Sequence, residues 1–356
     1  MNLELSIDSI IDILTLATAL MLGFLFLTVK SGNKKGNVFL GLFLWSLSIE
    51  VLGVLAQSFS EDFSSIPITG LFTILFLFLY VNQTINNVFK KWYILLFIPG
   101  IIINTIYYLD IDIELLGVFD YIFNILLLVY IFKILKKHKD NVSNYYSDLE
   151  HKTLSWIKTI VFIYIGFHAL WIIEDIVSFK NEEIIEYFAG LSTILTFFMV
   201  YWIGYNGFSQ SEIFKNKLFI VSKKEEEIEI EISNTNALCI ESEKEFIRLK
   251  ARIETEKLFT NRALNLRNLS TILEIKEKEL SKLINEHSKT NFYQFINGFR
   301  VKEFKILLAS PKAKQLSILG IAEEAGFSSK STFYTAFKTI EGITPKQYEM
   351  SLKKSE

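Results

Sequence analysis

Long apolar runs are the feature that most constrains this chain. A helix needs about 20 consecutive, mainly apolar residues to cross the hydrocarbon core of a bilayer. Runs of about this length follow one another through the first 206 residues and leave almost no sequence for a water-soluble core. We expect seven spans, at residues 10–29, 38–56, 66–81, 93–109, 118–135, 157–179 and 184–203.

The start of the chain does not have the pattern of a cleaved signal peptide. Residues 1–12 carry Glu4, Asp8 and Asp12 and no basic residue, whereas a signal peptide begins with positive charge. We therefore expect the first run to stay as a membrane span. In the fourth run, Pro99 and Gly100 predict a kink.

Lysine placement predicts the orientation, because basic residues in short loops stay on the cytoplasmic side. The loops after the first, third and fifth runs are basic and the loops between them are acidic, with Lys180 as the exception. This pattern predicts an N-terminus outside an inner (cytoplasmic) membrane and everything after about residue 207 in the cytoplasm. The basic loop residues are Lys30, Lys34, Lys35, Lys90, Lys91, Lys133, Lys136, Lys137, Lys139 and Lys152.

Charge and cysteine content exclude several classes of protein. Residues 1–210 hold 12 Lys and no Arg, while residues 256–356 hold 17 basic residues against 11 acidic ones. A hydrophobic half is thus followed by a basic half. The single cysteine, Cys239, permits no intrachain disulfide, and the four His are scattered, so a metal site is disfavoured.

Residues 207–255 form a connector of mixed character. Residues 219–221 are typical of a short strand or a helix end, and Ile228, Ile230 and Ile232 alternate with acidic residues at period two. That alternation fits a strand or an irregular linker equally well. From about Phe246 the pattern becomes helical and continues to the end of the chain.

Two segments of the basic half, 264–284 and 316–337, resemble each other. Each begins with a helix-capping residue, Asn265 or Ser317, and continues as two short amphipathic helices with a tight connection. The small residues Ser270 and Ala322 stand at matching places, 52 positions apart, where they would let two helices cross closely. The segments therefore predict two helix-turn-helix units.

The second segment has the clearer pattern. Gly326 can supply a left-handed turn between the helices, and Ser328 or Ser329 can cap the second helix. We expect Phe327, Phe333 and Phe337 to pack inward. The opposite face carries Lys330, Ser331, Tyr334, Thr335 and Lys338, side chains that suit base edges and phosphates in a major groove and that equally suit a solvated surface.

The first segment repeats the arrangement with a less favourable turn. We expect Leu280, Leu283 and Ile284 to face inward, and Lys278, Ser281 and Lys282 to face outward. Glu274 stands in the connection, where a glycine would form the turn more easily.

The stretch 321–349 resembles the AraC/XylS-type DNA-binding domain. The Gly-Phe pair, the central Phe of the helix, the Phe-Lys pair and the closing Gly-x-Thr-Pro-x-x-Tyr stand where that signature has them. Residues 291–308, including Arg300, resemble the linker helix of the same family, while Glu274 and Lys289 replace frequent glycines. The resemblance implies two helix-turn-helix units entering successive major grooves, roughly 34 Å apart.

The whole chain also resembles a bacterial group of membrane-embedded AraC-type regulators. We expect an all-α fold with a seven-helix transmembrane domain (1–206), the connector (207–255), an AraC-type domain (256–350) and a short tail (351–356). The expected base contacts are Lys278, Ser281, Lys282, Lys330, Ser331, Tyr334 and Thr335. Arg300, Ser329, Thr332 and Lys338 are expected to contact phosphates or to support the domain.

Ionisable residues within the predicted spans form a second candidate site. Such groups are costly in a bilayer and usually face the bundle interior with partners. The candidate ligand residues are Glu50, His168, Glu174 and Asp175. An internal hydrogen-bonded network, or contact with water at the outer interface, explains them better than a ligand pocket open to the outside. Asp120 and Asn124, one turn apart in the fifth span, fit either a ligand site or a structural network.

These observations predict a membrane-bound, sequence-specific transcription regulator that responds to an envelope or small-molecule signal. Its expected partners are promoter DNA, the lipid bilayer, a second copy of the chain and RNA polymerase. No catalytic motif or cofactor cradle is evident, so neither an enzyme nor a bound cofactor is expected. A seven-helix receptor or small transporter with a regulatory tail, and a passive tether released by proteolysis, are the alternatives.

Overall fold

A computed structural model describes residues 6–59, 69–109, 111, 116–150, 152–177, 182–213 and 235–355. The chain forms two compact units. The membrane-helix unit comprises Met1–His138 and Leu154–Leu218, and the C-terminal unit comprises Lys139–Thr153 and Phe219–Glu356. The described elements are helical, apart from one isolated bridge between Tyr146 and Asn265, so the all-α fold class is confirmed.

Seven helical segments make up the membrane-helix unit. All except the third are long and apolar enough to cross a bilayer, which makes six candidate spans among the described residues. The segments are α1 (Ile7–Thr28), α2 (Lys34–Phe59), α3 (Gly70–Asn86), a 3₁₀ helix (Lys91–Phe97) continued by α4 (Ile98–Tyr108), α5 (Leu116–Ser143), α6 (Ser155–Val177) and α7 (Glu182–Ile213).

Helix α3 is the third predicted run. It has 17 residues and is shorter than the other candidates, with a length of about 26 Å at 1.5 Å per residue. Most of its side chains are buried within the unit. Six of the seven predicted spans therefore meet the length requirement, and the third is a short, enclosed apolar helix.

The fourth run changes helix type where a kink was expected. Residues Lys91–Phe97 are 3₁₀-helical, and the α-helix begins at Ile98 with Pro99 in its first turn. Proline is tolerated there because the first turn leaves its backbone N–H groups without intrahelical partners. The proline thus lies at the start of α4 instead of bending a continuous helix.

Glycines permit a close crossing of α1 and α2. A Cβ on Gly23 would lie 2.4 Å from the Trp45 ring, and one on Gly41 would lie 2.8 Å from the Gly23 carbonyl oxygen. Such small residues let helix backbones approach in apolar surroundings. Away from this contact α1 exposes large apolar side chains, among them Met21 and Phe24, as a lipid-facing surface would.

The C-terminal unit contains the predicted repeat. Its helices are α8 (Thr235–Thr255), α9 (Leu266–Leu273), α10 (Glu277–Ser288), α11 (Phe292–Leu308), α12 (Ile318–Glu324), α13 (Lys330–Glu341) and α14 (Pro345–Ser355). Helix α8 begins well before Phe246, where the helical pattern was expected to start. The strand-like stretches 219–221 and 228–232 lie outside the described residues.

Two apolar clusters hold the C-terminal unit together, and α11 contributes to both. One surrounds α9 and α10 and includes Phe292 and Ile296 of α11; the other lies beneath α12 and α13 and includes Phe304. The first cluster also contains Tyr145, a residue from the segment that joins α5 to α6. The linker helix therefore serves as the common support of both helix pairs.

Candidate functional site

Helices α12 and α13 form the second helix-turn-helix unit as predicted. The Ser317 and Ser329 side chains accept hydrogen bonds from Gly320 N and Thr332 N, at 3.1 and 3.2 Å, and so cap the two helices. Gly326 has φ +100°, and a Cβ there would lie 2.6 Å from the Phe259 carbonyl oxygen. The turn thus needs glycine both for its backbone angle and for space.

The inward face of α13 is built from phenylalanines. Phe333 and Phe337 are fully buried, and their rings lie 4.7 and 5.4 Å from that of Phe304 on α11. Phe327, before the helix, lies 5.1 Å from Phe333. This packing confirms the predicted inward residues and fixes which side chains α13 presents to solvent.

The outward face of α13 is a small polar and basic surface. Lys330, Ser331, Thr335 and Lys338 are exposed and Tyr334 is half-buried. The Lys330 ammonium lies 5.7 Å from the centre of the Tyr334 ring, which orients both side chains. A rigid helix with short hydroxyl groups and lysines at its start has the chemistry needed for base edges and phosphates.

Helices α9 and α10 form the first unit in spite of its unfavourable turn. Asn265 caps α9 by accepting from Asn268 N at 2.9 Å, and Glu274 adopts φ +60°, the left-handed conformation expected of a glycine. Lys289, the other residue that was expected to replace a glycine, has φ +56°. Both departures from the family pattern therefore keep the glycine-like backbone.

The outward face of α10 differs in charge from that of α13. Leu280, Leu283 and Ile284 are buried as expected, while Lys278 and Lys282 are exposed and Ser281 is half-buried. Acidic residues stand among these lysines, and Lys282 lies 3.9 Å from Glu286. The positive potential available to DNA phosphates is consequently weaker along α10 than along α13.

Arg300 is the most buried charged residue of the C-terminal unit. Its side chain is fully buried, and its guanidinium donates to Phe259 O at 2.8 Å, Asn261 O at 2.9 Å and Asn297 Oδ1 at 3.1 Å. It also donates to the Ser147 carbonyl and hydroxyl oxygens, at 3.4 and 3.1 Å. Burial lowers the pKa of Arg300 to about 10, so it stays charged at neutral pH. Of its two expected roles, the geometry favours structural support.

Thr332 is also buried, at the first turn of α13. Its hydroxyl donates to Asp148 Oδ1 at 2.7 Å, and Lys152 lies 3.6 Å from the other carboxylate oxygen. Burial by itself would raise the pKa of Asp148, but hydrogen bonds from Thr332 and Ser328 and the charge of Lys152 lower it below its ordinary value. Asp148 is therefore an ionised partner of α13.

The contacts of residues 145–148 with the C-terminal unit could not be predicted from their sequence. These residues precede the helix-turn-helix units by more than a hundred positions and carry no DNA-binding pattern. The lysines on either side of them predicted only a cytoplasmic loop between two spans. The pairing of Ser147 with Arg300, and of Asp148 with Thr332, depends on tertiary contacts between residues more than 150 positions apart.

A buried polar cluster occupies the membrane-helix unit. Glu50 on α2 accepts hydrogen bonds from Thr73 and, at 3.4 Å, from Thr69, and its carboxyl group interacts electrostatically with Asp120 and Tyr164. We call Glu50, Thr69, Thr73, Asp120, Asn124, Tyr164 and His168 the Glu50 cluster; they come from α2, the start of α3, α5 and α6.

Three buried polar atoms of the Glu50 cluster have no hydrogen-bond partner among the described residues: Asn124 Oδ1, the Tyr164 hydroxyl and His168 Nε2. His168 Nδ1 bonds the Tyr164 carbonyl at 2.8 Å, and Asn124 donates to Asp120 at 3.3 Å. His168 lies one helical turn from Tyr164, whose hydroxyl interacts electrostatically with the predicted ligand residue Glu50. The side chains of Glu174 and Asp175 lie outside the described residues.

Metal coordination has no support in the described part of the chain. No group of three or more His, Cys, Asp or Glu side chains there could hold an ion.

Residues 269–351 match a family described as a helix-turn-helix domain. The match covers α10 to α13 entirely and parts of α9 and α14, so an AraC-type helix-turn-helix domain occupies the C-terminal region. Searches of curated proteins and of solved structures gave no significant match. The fold and the site therefore define a DNA-binding module joined to six helices of membrane-spanning length, and the module is typical of regulators without enzymatic activity.

Proposed function

We propose that this protein is a membrane-bound transcription regulator that binds specific promoter sites and adjusts this binding to an envelope or small-molecule signal. The outward face of α13 carries the proposal, because a rigidly supported helix presents Lys330, Ser331, Tyr334 and Thr335 together. Lys278, Ser281 and Lys282 of α10 would contact a second major groove. A homodimer would strengthen binding by placing two such domains on neighbouring sites.

Genome-wide footprinting of tagged full-length protein tests DNA binding directly. We expect discrete peaks that disappear in Lys278→Ala, Lys330→Ala and Tyr334→Ala variants. Lys302→Ala is the matched control, since Lys302 is exposed on α11, outside the two proposed recognition helices α10 and α13, and pairs with Glu254 of α8. Absence of peaks from abundant, correctly inserted protein, or equal loss in the control, would contradict the proposal.

Binding measurements on purified protein separate base contacts from phosphate contacts. Loss of Lys330 should cost about 1–3 kcal/mol on preferred sites, roughly 5- to 150-fold in affinity, and should relax specificity if the side chain contacts a base. A uniform loss on all sequences would instead make Lys330 a phosphate contact.

The proposed orientation places the N-terminus outside and the C-terminal unit in the cytoplasm. It requires α3 to span together with the six longer segments, so that an odd number of crossings separates the two ends. Burial of α3 supports this, since a helix enclosed by others is not exposed to the full lipid thickness. A cysteine placed at Ser6 should react with an impermeant thiol reagent in intact cells, whereas one at Ser351 should not. Equal protection of both positions would indicate an even number of spans.

The Glu50 cluster is the proposed ligand site. Two carboxyl groups and three unpartnered polar atoms suit a small polar molecule that carries positive charge and hydrogen-bond donors. We expect Glu50→Gln to abolish the variation of promoter activity with growth conditions while footprints persist. Thr105→Ala is the control, because Thr105 is exposed on α4 and its hydroxyl bonds the Ile101 carbonyl of the same helix. A normal response in Glu50→Gln would exclude the cluster as the sensor.

A further inference from the structure

The C-terminal end of α5 and the segment that joins it to α6 are built into the C-terminal unit. Residues Lys139–Thr153 belong to the same compact unit as α8–α14, although both of their ends continue into membrane-span candidates. We call them the docked loop. Tyr145 of this loop is 4% exposed and packs in the apolar cluster of the first helix-turn-helix unit.

The docked loop binds the start of the first helix-turn-helix unit through its backbone. Leu266 N donates to the Tyr145 carbonyl at 2.9 Å, beside the bridge between Tyr146 and Asn265. The Ser147 hydroxyl donates to Leu264 O at 2.6 Å. The residue that caps α9 is therefore held in a short antiparallel pairing with the loop.

The same loop reaches the linker helix and the second unit. Asn297 on α11 donates to Ser147 O at 3.1 Å, and Arg300 donates to both Ser147 oxygens. One residue further on, Asp148 accepts from Thr332 of α13. Within four consecutive residues the loop thus contacts α9, α11 and α13, the three elements whose relative placement sets the distance between the two recognition helices.

We propose that the docked loop braces the two helix-turn-helix units in the spacing that DNA requires, with Asp148 as its positioning residue on α13. The proposal rests on the DNA-binding function above and deepens it. Because the two recognition helices must enter successive grooves about one turn apart, a brace across both units affects affinity and tolerance of altered site spacing together. Since the loop is continuous with α5 and α6, movement of those helix ends would reach the recognition helices directly.

Full-length purified protein tests the brace on a DNA site selected from random sequence. Binding is measured on that site and on versions with one or two base pairs inserted between its two halves. We expect Asp148→Asn to bind the selected site about 10-fold more weakly and to lose less affinity than wild type on the inserted sites. Asp140→Asn is the matched control, because Asp140 is an exposed acid near the start of the same loop.

A double-mutant cycle identifies the contact responsible. Thr332→Val removes the hydroxyl that donates to Asp148, so the two changes together should weaken binding no more than either alone. Circular dichroism of each variant establishes that the helices remain folded. Unchanged binding by Asp148→Asn on every site would show that the docked loop does not set the spacing of the two units. Equally tighter binding on every site would also contradict the proposal, and would show that the loop weakens DNA binding. If wild-type protein selects no sequence at all, the DNA-binding proposal itself fails.

Discussion

Replacing Arg300 distinguishes its two expected roles, contact with a DNA phosphate and structural support of the C-terminal unit. Arg300→Met keeps much of the side-chain length but removes the donors that serve Phe259 O, Asn261 O and the two Ser147 oxygens. An unsatisfied buried acceptor costs about 1–3 kcal/mol, and the apolar replacement avoids the cost of burying a charge. We therefore expect the C-terminal unit to lose about 3 kcal/mol of stability.

Hydrogen exchange measured by mass spectrometry reports on this unit separately from the membrane-helix unit. A loss of 3 kcal/mol corresponds to roughly 150-fold faster exchange of the slowest amides, those that open only when the unit unfolds. Peptides from α11 and from the docked loop should change together, because Arg300 binds both. Peptides from α1 and α2 should keep their wild-type rates.

Arg300→Lys is the informative companion variant. Lysine retains the positive charge that a phosphate contact would need, but it lacks the planar fork that serves several carbonyls at once. We expect its exchange rates to lie close to those of Arg300→Met. Normal exchange in both variants with weakened DNA binding only in Arg300→Met would refute the structural role and make Arg300 a phosphate contact.

Two further predictions concern the turns and the docked loop. Gly326→Ala should destabilise the C-terminal unit by about 2–3 kcal/mol, because φ is +100° and the new Cβ would lie 2.6 Å from Phe259 O. Glu274→Gly should instead stay within about 1 kcal/mol of wild type, because relief of the left-handed strain offsets the added chain entropy. Hydrogen exchange measures both variants, and equal destabilisation by the two would show that the left-handed turns do not differ in this way. Against the effect of burial, hydrogen bonds and the charge of Lys152 lower the pKa of Asp148 in the folded state below its ordinary value, so its stabilisation is fully present above the ordinary aspartate pKa of about 3.9 and is lost as pH falls through the lowered pKa. The stability difference between wild type and Asp148→Asn should therefore shrink only in acid, and a difference that vanishes near neutral pH would exclude an ionised Asp148.

Local signals predicted much of the fold because they act within a few residues. Capping by Ser317 and Ser329, the left-handed Gly326 and the inward Phe333 and Phe337 all follow from neighbouring positions, and all are present. Apolar length likewise predicted six of the helices of the membrane-helix unit. The unusual turn at Glu274 could be recognised from sequence, but only the tertiary packing around it determines that it still forms.

The remaining features depend on contacts between distant parts of the chain. The 3₁₀ segment before Pro99 has the same apolar composition as the α-helix that follows it, so composition could not distinguish the two. Ser147 and Asp148 are ordinary loop residues until Arg300 and Thr332 are placed beside them. The Glu50 cluster could be suspected residue by residue, yet its membership depends on which helices pack together.

The docked loop also bears on how a membrane signal could change DNA binding. A single covalent link confines a domain near the membrane, but confinement alone has no preference between two arrangements of the recognition helices. A signal shifts an equilibrium only through interactions that differ between the two states. The contacts of Tyr145, Ser147 and Asp148 with α9, α11 and α13 would supply such interactions if a signal altered their geometry, and they belong to a loop continuous at both ends with candidate spans. Because Arg300 would lose two acceptors if Ser147 left, undocking would carry a large free-energy cost. We therefore expect regulation to act by small shifts of a loop that stays docked, which alter the spacing of the two helix-turn-helix units.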